Sequence, residues 1–200
     1  MRYREGSRRL AAYRKRIVAL RRRMRDVQHR VEPQPVDDYT FASTRGPVRL
    51  SQLFGGRRDL IVIHNMGTHC PNCTLWADGF NGLYPHLATR AALVVTSPDP
   101  PAAQRRFARS RGWRFPMVSH QGTTFAADMG YVTRDGRCLP GVSAFRRTRD
   151  GIVRVSDAGF SPGDDFCPAW HLLDLFPDGR AGWEPTLTPC PRPSLIGVRR

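Results

Sequence analysis

Two cysteines in the motif Cys70-Pro71-Asn72-Cys73 are the residues of this sequence best suited to chemistry. Pro71 fits the first turn of a helix, where no backbone donor is needed, so Cys70 is expected at a helix N-terminus. Unpaired N–H groups and the helix dipole favour an anion there and lower the pKa of a thiol. We therefore predict that Cys70 is a nucleophile and that Cys73, one turn further on, is the resolving thiol.

The same spacing is also found in zinc sites and in chance pairs. Zinc needs four ligands, usually from a second close cysteine pair or paired histidines. The remaining cysteines, Cys138, Cys167 and Cys190, are isolated from one another in the sequence. Five cysteines are also too few for a secreted disulfide scaffold, and an odd number would leave one of them unpaired. The pattern favours a redox dithiol in a cytoplasmic protein, with no metal and no cofactor besides the dithiol itself.

Three residues close to the cysteines are candidates for positioning a substrate or a proton. Pro71 shapes the start of the helix. Asp78 lies two turns after Cys70 and could accept the proton of the resolving cysteine, or else be a solvated helix residue. Trp76 could form a platform for a substrate, although a core position is the favoured reading of so large an aromatic side chain.

The elements around the motif alternate between strand and helix. Residues 60–63, within the predicted strand 59–65, and residues 92–95 are apolar runs typical of strands covered on both faces, and helical spacing of apolar residues separates them. This order implies parallel pairing with a right-handed crossover. Asp-Gly at 150–151 joins residues 141–147 and 152–156 into a hairpin. We predict an α/β protein with a thioredoxin-like fold, in which helices flank a central mixed β-sheet.

Pro140 stands at the entrance to the first strand of the predicted hairpin. In thioredoxin folds a proline at this stage of the topology is cis and faces the active cysteines. A cis bond before proline costs only about 0.5–1 kcal/mol relative to trans. We therefore expect a cis Leu139–Pro140 bond beside the dithiol, the alternative being an ordinary proline that begins a strand.

The net charge of +15 belongs mainly to the N-terminus, because residues 1–30 contain twelve basic residues and two acidic ones. Apolar residues recur there at alternating spacings of three and four, which predicts an amphipathic helix. They are Leu10, Tyr13, Ile17, Leu20, Met24 and Val27. Such a stripe suits a seam against the domain or a second copy, and we favour a homodimer over a nucleic-acid arm. No apolar run approaches the ~20 residues that cross a bilayer, so no membrane contact is expected.

The predicted organisation has four parts. Residues 1–30 are the basic helix, 31–38 a proline-containing linker, 39–180 the thioredoxin-like domain, and 181–200 an irregular proline-rich tail. The domain of 142 residues between the linker and the tail is long enough to bury a core of its own.

Several stretches together resemble the thioredoxin-like domain-of-unknown-function family 899, whose members are described as dithiol–disulfide oxidoreductases. The matching stretches are residues 39–41, 50–56, 63–66, 70–73, 76–80, 111–119, 140–145 and 173–180. The resemblance covers nearly the whole chain. It implies a thioredoxin fold with peroxiredoxin-like features and a redox dithiol at Cys70 and Cys73.

The expected function is thiol–disulfide exchange on a protein or small-molecule disulfide, with an external thiol reductant. One alternative is a thiol peroxidase. Peroxiredoxins carry a threonine three residues before the reactive cysteine, whereas here Gly67 precedes Cys70 by three residues and Thr68 by two. The other alternative is a non-catalytic binding module whose basic helix engages an acidic partner or nucleic acid.

Overall fold

The computed structural model describes residues 1–188 and divides the chain into two compact units, Met1–Gln34 and the part from Pro35 onward. The first unit consists mainly of one long helix, α1 (Tyr3–Gln28), which confirms the predicted N-terminal helix. None of its residues is buried, and the residues of the apolar stripe are between 45% and 67% exposed. No helix within residues 1–188 is long and apolar enough to cross a membrane.

An eight-stranded sheet forms the centre of the second unit, in the order β1-β8-β7-β4-β5-β6-β2-β3. The strands are β1 (Gln34–Val36), β2 (Thr40–Ser43), β3 (Gly46–Arg49), β4 (Asp59–His64), β5 (Ala92–Ser97), β6 (Met117–Ser119), β7 (Gly141–Arg147) and β8 (Ile152–Gly159). The helices are α2 (Leu50–Leu53), α3 (Pro71–Arg90), α4 (Pro101–Arg111), α5 (Phe125–Asp128) and α6 (Pro168–Leu173).

The middle of the sheet has the predicted topology. β4 and β5 pair in parallel, with α3 as the crossover between them, and β6 continues the parallel pairing on the other side of β5. β7 is antiparallel to β4, and β8 is antiparallel to β7, so the hairpin adds to the opposite side of β4. The four strands in the order β8-β7-β4-β5 give the thioredoxin-like fold expected from the sequence.

Two buried clusters cover the faces of the sheet. Along β4, Leu60 and Val62 point to one cluster, while Ile63 points to the other, as the two-residue repeat of a strand requires. The second cluster contains Trp76 of α3 and Trp113, which follows α4. Because both faces of β4 are covered, its interior, residues 60–63, is a continuous apolar run rather than an alternating one.

The boundaries of the unit differ from the prediction at one end. Residues 34–36, placed within the predicted linker, form the edge strand β1. Pro35 is compatible with an edge strand, because an edge residue need not donate to a neighbour. In the tail, residues 181–188 contain no helix or strand, and the rest of the predicted tail, with Cys190, lies outside the described residues.

Candidate active site

The two cysteines lie at the start of α3, directly after the loop that follows central strand β4. Cys70 is the N-cap residue of α3, with φ −93° and ψ 108°, and Pro71 occupies the first helical position. The Cys70 Sγ accepts a hydrogen bond from the backbone N–H of Cys73 at 3.1 Å. The sulfur therefore stands where Ser or Asp caps other helices, and it satisfies one of the free N–H groups of the first turn.

Hydrogen bonds separate the acidities of the two thiols. The Cys73 thiol donates to Cys70, and together with the backbone N–H groups of Cys73 and Asn72 it lowers the pKa of Cys70 from 9.0 to about 7, against the opposing effect of burial. The same hydrogen bond, with burial, raises the pKa of Cys73 well above its usual range. Cys73 Sγ accepts from the N–H of Met66 at 3.4 Å. Cys70 is thus the thiol that ionises, and Cys73 holds its proton.

Asp99 anchors the loop that carries Cys70, a residue that the sequence pattern did not single out. Its Oδ2 accepts from the backbone N–H of Thr68 at 2.9 Å and from the hydroxyl of Ser97 at 3.0 Å. Gly67 has φ +119°, and a Cβ atom there would lie 3.2 Å from the same carboxylate oxygen. The Gly67 carbonyl in turn accepts from the N–H of Cys70 at 3.1 Å. The carboxylate and the glycine together fix the turn before the nucleophile.

A chain of polar side chains continues from Asp99 into α4. The Ser97 hydroxyl accepts from Gln104 Nε2 at 2.9 Å, and the same amide nitrogen donates to the carbonyl of Val118 at 3.0 Å. Gln104 is 1% exposed, so its amide is held without competing water. The cysteine loop is therefore connected through side chains to β5, α4 and β6.

His64 is buried at the end of β4. Its Nε2 lies 3.0 Å from the hydroxyl of Ser143, and its ring stacks on Tyr131 with the centroids 3.7 Å apart. Burial, with the positive charges of His120 and Arg154, lowers the pKa of His64 to about 3. It is therefore neutral at physiological pH, and the structure gives it a packing role. His69 is exposed next to Cys70.

The other predicted site residues of α3 are engaged away from the sulfur atoms. Trp76 is 2% exposed, and its indole N–H donates to Asp164 at 3.3 Å. Asp78 accepts from the indole N–H of Trp113 at 2.7 Å and is ion-paired with Arg111. Neither side chain is a solvent-facing platform beside the dithiol, and both instead connect α3 to later parts of the chain.

The prediction of a cis bond before Pro140 is wrong, because the Leu139–Pro140 peptide bond is trans. The backbone around it is held in extended form, with the N–H of Leu139 donating to Tyr131 at 2.8 Å and the carbonyl of Pro140 accepting from Phe160 at 3.0 Å. Pro140 is therefore an ordinary proline at the entrance to a strand, directly before β7. Pro140 lies beside the end of β4, where the cysteine loop begins, because the next residue, Gly141, pairs with His64.

The other described cysteines are not paired. Cys70, Cys73, Cys138 and Cys167 are all free thiols. Burial raises the pKa of both Cys138 and Cys167, and the negative charge of Asp99 adds to this effect at Cys138. Within residues 1–188, no group of three or more His, Cys, Asp or Glu side chains is arranged to hold a metal ion.

A sheet ordered β8-β7-β4-β5, with a dithiol at the start of the helix after its central parallel strand, places this chain among thioredoxin-like proteins. More particularly, it belongs to the family described as "Bacterial protein of unknown function (DUF899)", which it matches over residues 4–189. The resemblance noted from its motifs is thereby confirmed. Among curated proteins, none matches the chain.

Solved structures similar to this chain include peroxiredoxins. Peroxidoxin BcpB from Mycobacterium tuberculosis is 27% identical, with a TM-score of 0.53 over 64% of this chain and 86% of that one. A PrxQ cysteine variant from Xylella fastidiosa is 16% identical, with a TM-score of 0.54 over 63% and 82% of the two chains. Reduced Prx3 from Vibrio vulnificus is 12% identical, with a TM-score of 0.54 over 67% and 89%. The likeness supports a thioredoxin-like redox protein.

Proposed function

We propose that this protein is a thiol–disulfide oxidoreductase in which Cys70 is the nucleophile and Cys73 the resolving thiol. One observation carries the proposal: the Cys70 sulfur caps α3 and accepts the Cys73 N–H at 3.1 Å, while the second thiol lies one turn further along the same helix. Thiolate is the species that attacks a disulfide, and a thiol with a pKa near ambient pH combines availability with nucleophilicity. A pKa of about 7 for Cys70 meets this condition.

The reaction proceeds in two exchanges. The Cys70 thiolate attacks one sulfur of a substrate disulfide, forming a mixed disulfide and expelling the other sulfur as a thiolate that takes up a proton. Cys73 then loses its proton and attacks the Cys70 sulfur, which releases the second substrate thiol. The substrate gains two electrons and two protons, and the enzyme is left with a Cys70–Cys73 disulfide. An external thiol reductant returns it to the dithiol, so no other cofactor is needed.

The neighbouring candidate residues act on this reaction through position. Pro71 opens α3 without requiring a partner for a backbone N–H, which leaves the N–H groups of Asn72 and Cys73 to the sulfur. Trp76 and Asp78 hold α3 through Asp164 and Arg111. Pro140 lies where β7 meets the end of β4, and we propose that this edge receives the substrate next to the sulfur atoms.

A thiol peroxidase is the second candidate, favoured by the 27% identity with peroxidoxin BcpB. The loop before Cys70 argues against it. Gly67 occupies the position three residues before the cysteine, where peroxiredoxins carry the threonine, and has no hydroxyl to offer. Thr68 is instead turned to Asp99, with its Oγ1 3.5 Å from Oδ1 of the carboxylate. Gly67 thus lacks the hydroxyl that would position a peroxide, and the hydroxyl of Thr68 is directed to Asp99.

Turnover of a disulfide and of hydrogen peroxide by the same reduced protein tests the proposal. We expect dithiothreitol-driven reduction of insulin and of hydroxyethyl disulfide to be saturable, and to be abolished in Cys70→Ser. Cys73→Ser should trap the mixed disulfide, visible by mass spectrometry as an adduct on Cys70. Fast, saturable peroxide consumption that needs Cys70 but survives loss of Cys73 would favour the peroxidase instead.

The apolar stripe of α1 supports a separate proposal about assembly. Its residues are exposed on their own helix, and a seam of this spacing suits a second helix. We propose a homodimer through α1 rather than a nucleic-acid arm. In sedimentation, Leu20→Asp in the full chain should give a monomer, while Val18→Asp, outside the 3–4 stripe, should not. A dimer that persists in Leu20→Asp would contradict the proposal.

A further inference from the structure

A second surface of the thioredoxin-like unit, whose lining includes none of the cysteines, has the composition of a ligand site. Three adjoining cavities of about 220, 540 and 550 Å³ lie between α4 and the β2–β3 turn, and all three include Thr44 in their walls. We call them together the α4 groove. Five arginines line it: Arg45, Arg105, Arg106, Arg109 and Arg114. Within the described part of the chain, none of the three linings contains an Asp or Glu.

The arginines of the α4 groove differ from others in the same unit. Arg146 and Arg90 both pair with Asp59, and Arg111 pairs with Asp78. No ion pair among residues 1–188 joins a groove arginine to a carboxylate. Among the groove arginines, only the side chain of Arg114 has a described hydrogen-bond partner, the backbone carbonyl of Asn81 at 3.2 Å. That carbonyl has no donor within α3, because Pro85, four residues later, lacks an N–H. Like charges gathered without counter-charges repel one another, and an anion bound among them relieves that repulsion.

The groove has two chemically distinct halves. In the first, Arg105, Arg106 and Arg109 are spread over the last two turns of α4 and line a cavity that also includes Pro101 and Ala102 of its first turn. In the second, the walls are largely apolar, with Leu53 and Met117 among them, and Arg45 and Arg114 are the charged residues of the lining. Guanidinium groups match phosphate oxygens bidentately, and more than one such group suits a chain of phosphates.

We propose that the α4 groove binds a small organic polyphosphate of the nucleoside triphosphate type, with the phosphates on the arginines of α4 and the organic part against the apolar half. Arg105 and Arg109 are four residues apart, so they project from the same side of the helix and reach one phosphate chain together. The proposal concerns a site separate from the dithiol, and it does not depend on the redox function.

Arginine footprinting on the full-length protein, using ATP without divalent metal as the probe, tests the site directly. Phenylglyoxal modifies accessible arginines, and mass spectrometry reports each position. At physiological ionic strength we expect ATP to slow modification of Arg105 and Arg109 at least fivefold, while Arg57 and Arg149, exposed and outside the groove, change less than twofold. Protection spread equally over groove and control arginines, or absent from both, would overturn the proposal.

Calorimetric affinities of charge-matched variants complete the test. The double variant Arg105→Gln, Arg109→Gln should weaken ATP binding at least tenfold, whereas Arg57→Gln, Arg149→Gln removes the same charge and should change it less than twofold. Adenosine should not bind measurably, and tripolyphosphate should bind at least fivefold more weakly than ATP. Tripolyphosphate binding as tight as ATP would overturn the role of the apolar half. A DNA duplex that protects the groove arginines where ATP does not would assign the surface to nucleic acid instead.

Discussion

Replacing Cys73 with alanine should make Cys70 a weaker acid, because the Cys73 thiol is the largest of the influences that stabilise the Cys70 thiolate. The pKa of Cys70 is lowered from 9.0 to about 7. One pKa unit corresponds to about 1.4 kcal/mol, so the thiolate is favoured by about 3 kcal/mol in the folded protein. A hydrogen bond to a charged group is worth about 1.5–3 kcal/mol. Losing the Cys73 donor should therefore raise the pKa to about 8 or above.

The matched control keeps a donor at the same place. Cys73→Ser supplies a hydroxyl, so the pKa of Cys70 should stay near that of the unaltered protein, although neither variant can complete the exchange. At neutral pH, a pKa of about 8 leaves about a tenth of Cys70 as thiolate, compared with about half at a pKa of about 7. Alkylation of Cys70 in Cys73→Ala should therefore be about fivefold slower.

Iodoacetamide labelling across a pH series, with each cysteine quantified by mass spectrometry, measures this change. Cys138 serves as an internal reference in every sample, because burial and the charge of Asp99 raise its pKa. Its labelling midpoint should lie above that of Cys70. A Cys70 midpoint unchanged in Cys73→Ala would refute the hydrogen-bond account, and faster labelling of Cys73 than of Cys70 in the unaltered protein would refute the assignment of roles.

Three further outcomes follow from the packing around the site. Gly141→Ala should lower the free energy of unfolding by about 1–3 kcal/mol, because an added Cβ meets the Tyr131 ring and comes within 2.6 Å of the carbonyl of Ala158. Its cross-strand partner Gly159 has open space around it, so Gly159→Ala should leave the melting temperature nearly unchanged. His64 stays neutral in the folded protein down to about pH 3 but takes up a proton near pH 6.5 when unfolded, so it makes the free energy of unfolding fall as the pH drops. In urea titrations, His64→Phe should therefore lose about 2 kcal/mol less of its free energy of unfolding between pH 7 and 5 than the unaltered protein does. Asp78→Ala should cost about 1–3 kcal/mol by leaving Arg111 without its carboxylate partner, with only the carbonyl of Leu187 remaining to it, and a labelling midpoint of Cys70 that moved with it would contradict the structural role given to Asp78.

The sequence predicts the elements of the fold well because burial leaves a local pattern. β4 and β5 are covered on both faces, so each appears as an uninterrupted apolar run, and Pro71 marks the first turn of α3 beside the cysteine that caps it. β1 has no such pattern, because it is a three-residue edge strand whose residues are half-buried at most. Its pairing with β8 depends on a strand more than a hundred residues later.

The contacts that complete the site escape local reasoning for a related cause. Asp99 meets Thr68 across 31 residues of sequence, and Asp78 meets Trp113 across 35. Nothing in the spacing of a carboxylate along its own helix or loop reveals a partner at that separation. The isomer at Pro140 was misjudged because it depends on hydrogen bonds to Tyr131 and Phe160 on either side, which the position in the topology does not determine.

The anchoring of the cysteine loop by Asp99 determines which part of the site can move when the dithiol becomes a disulfide. The Thr68 amide is held through Asp99 and Ser97 to the end of β5, so the loop opens only together with a strand in the middle of the sheet. The amides of the first turn of α3 bond only within that turn, because those of Cys73 and Thr74 both donate to Cys70. Closure of the disulfide should therefore be absorbed by that turn. In hydrogen-exchange experiments, the Thr68 amide should keep one slow rate in both redox states, whereas the amides of Cys73 and Thr74 should exchange at rates that differ between them.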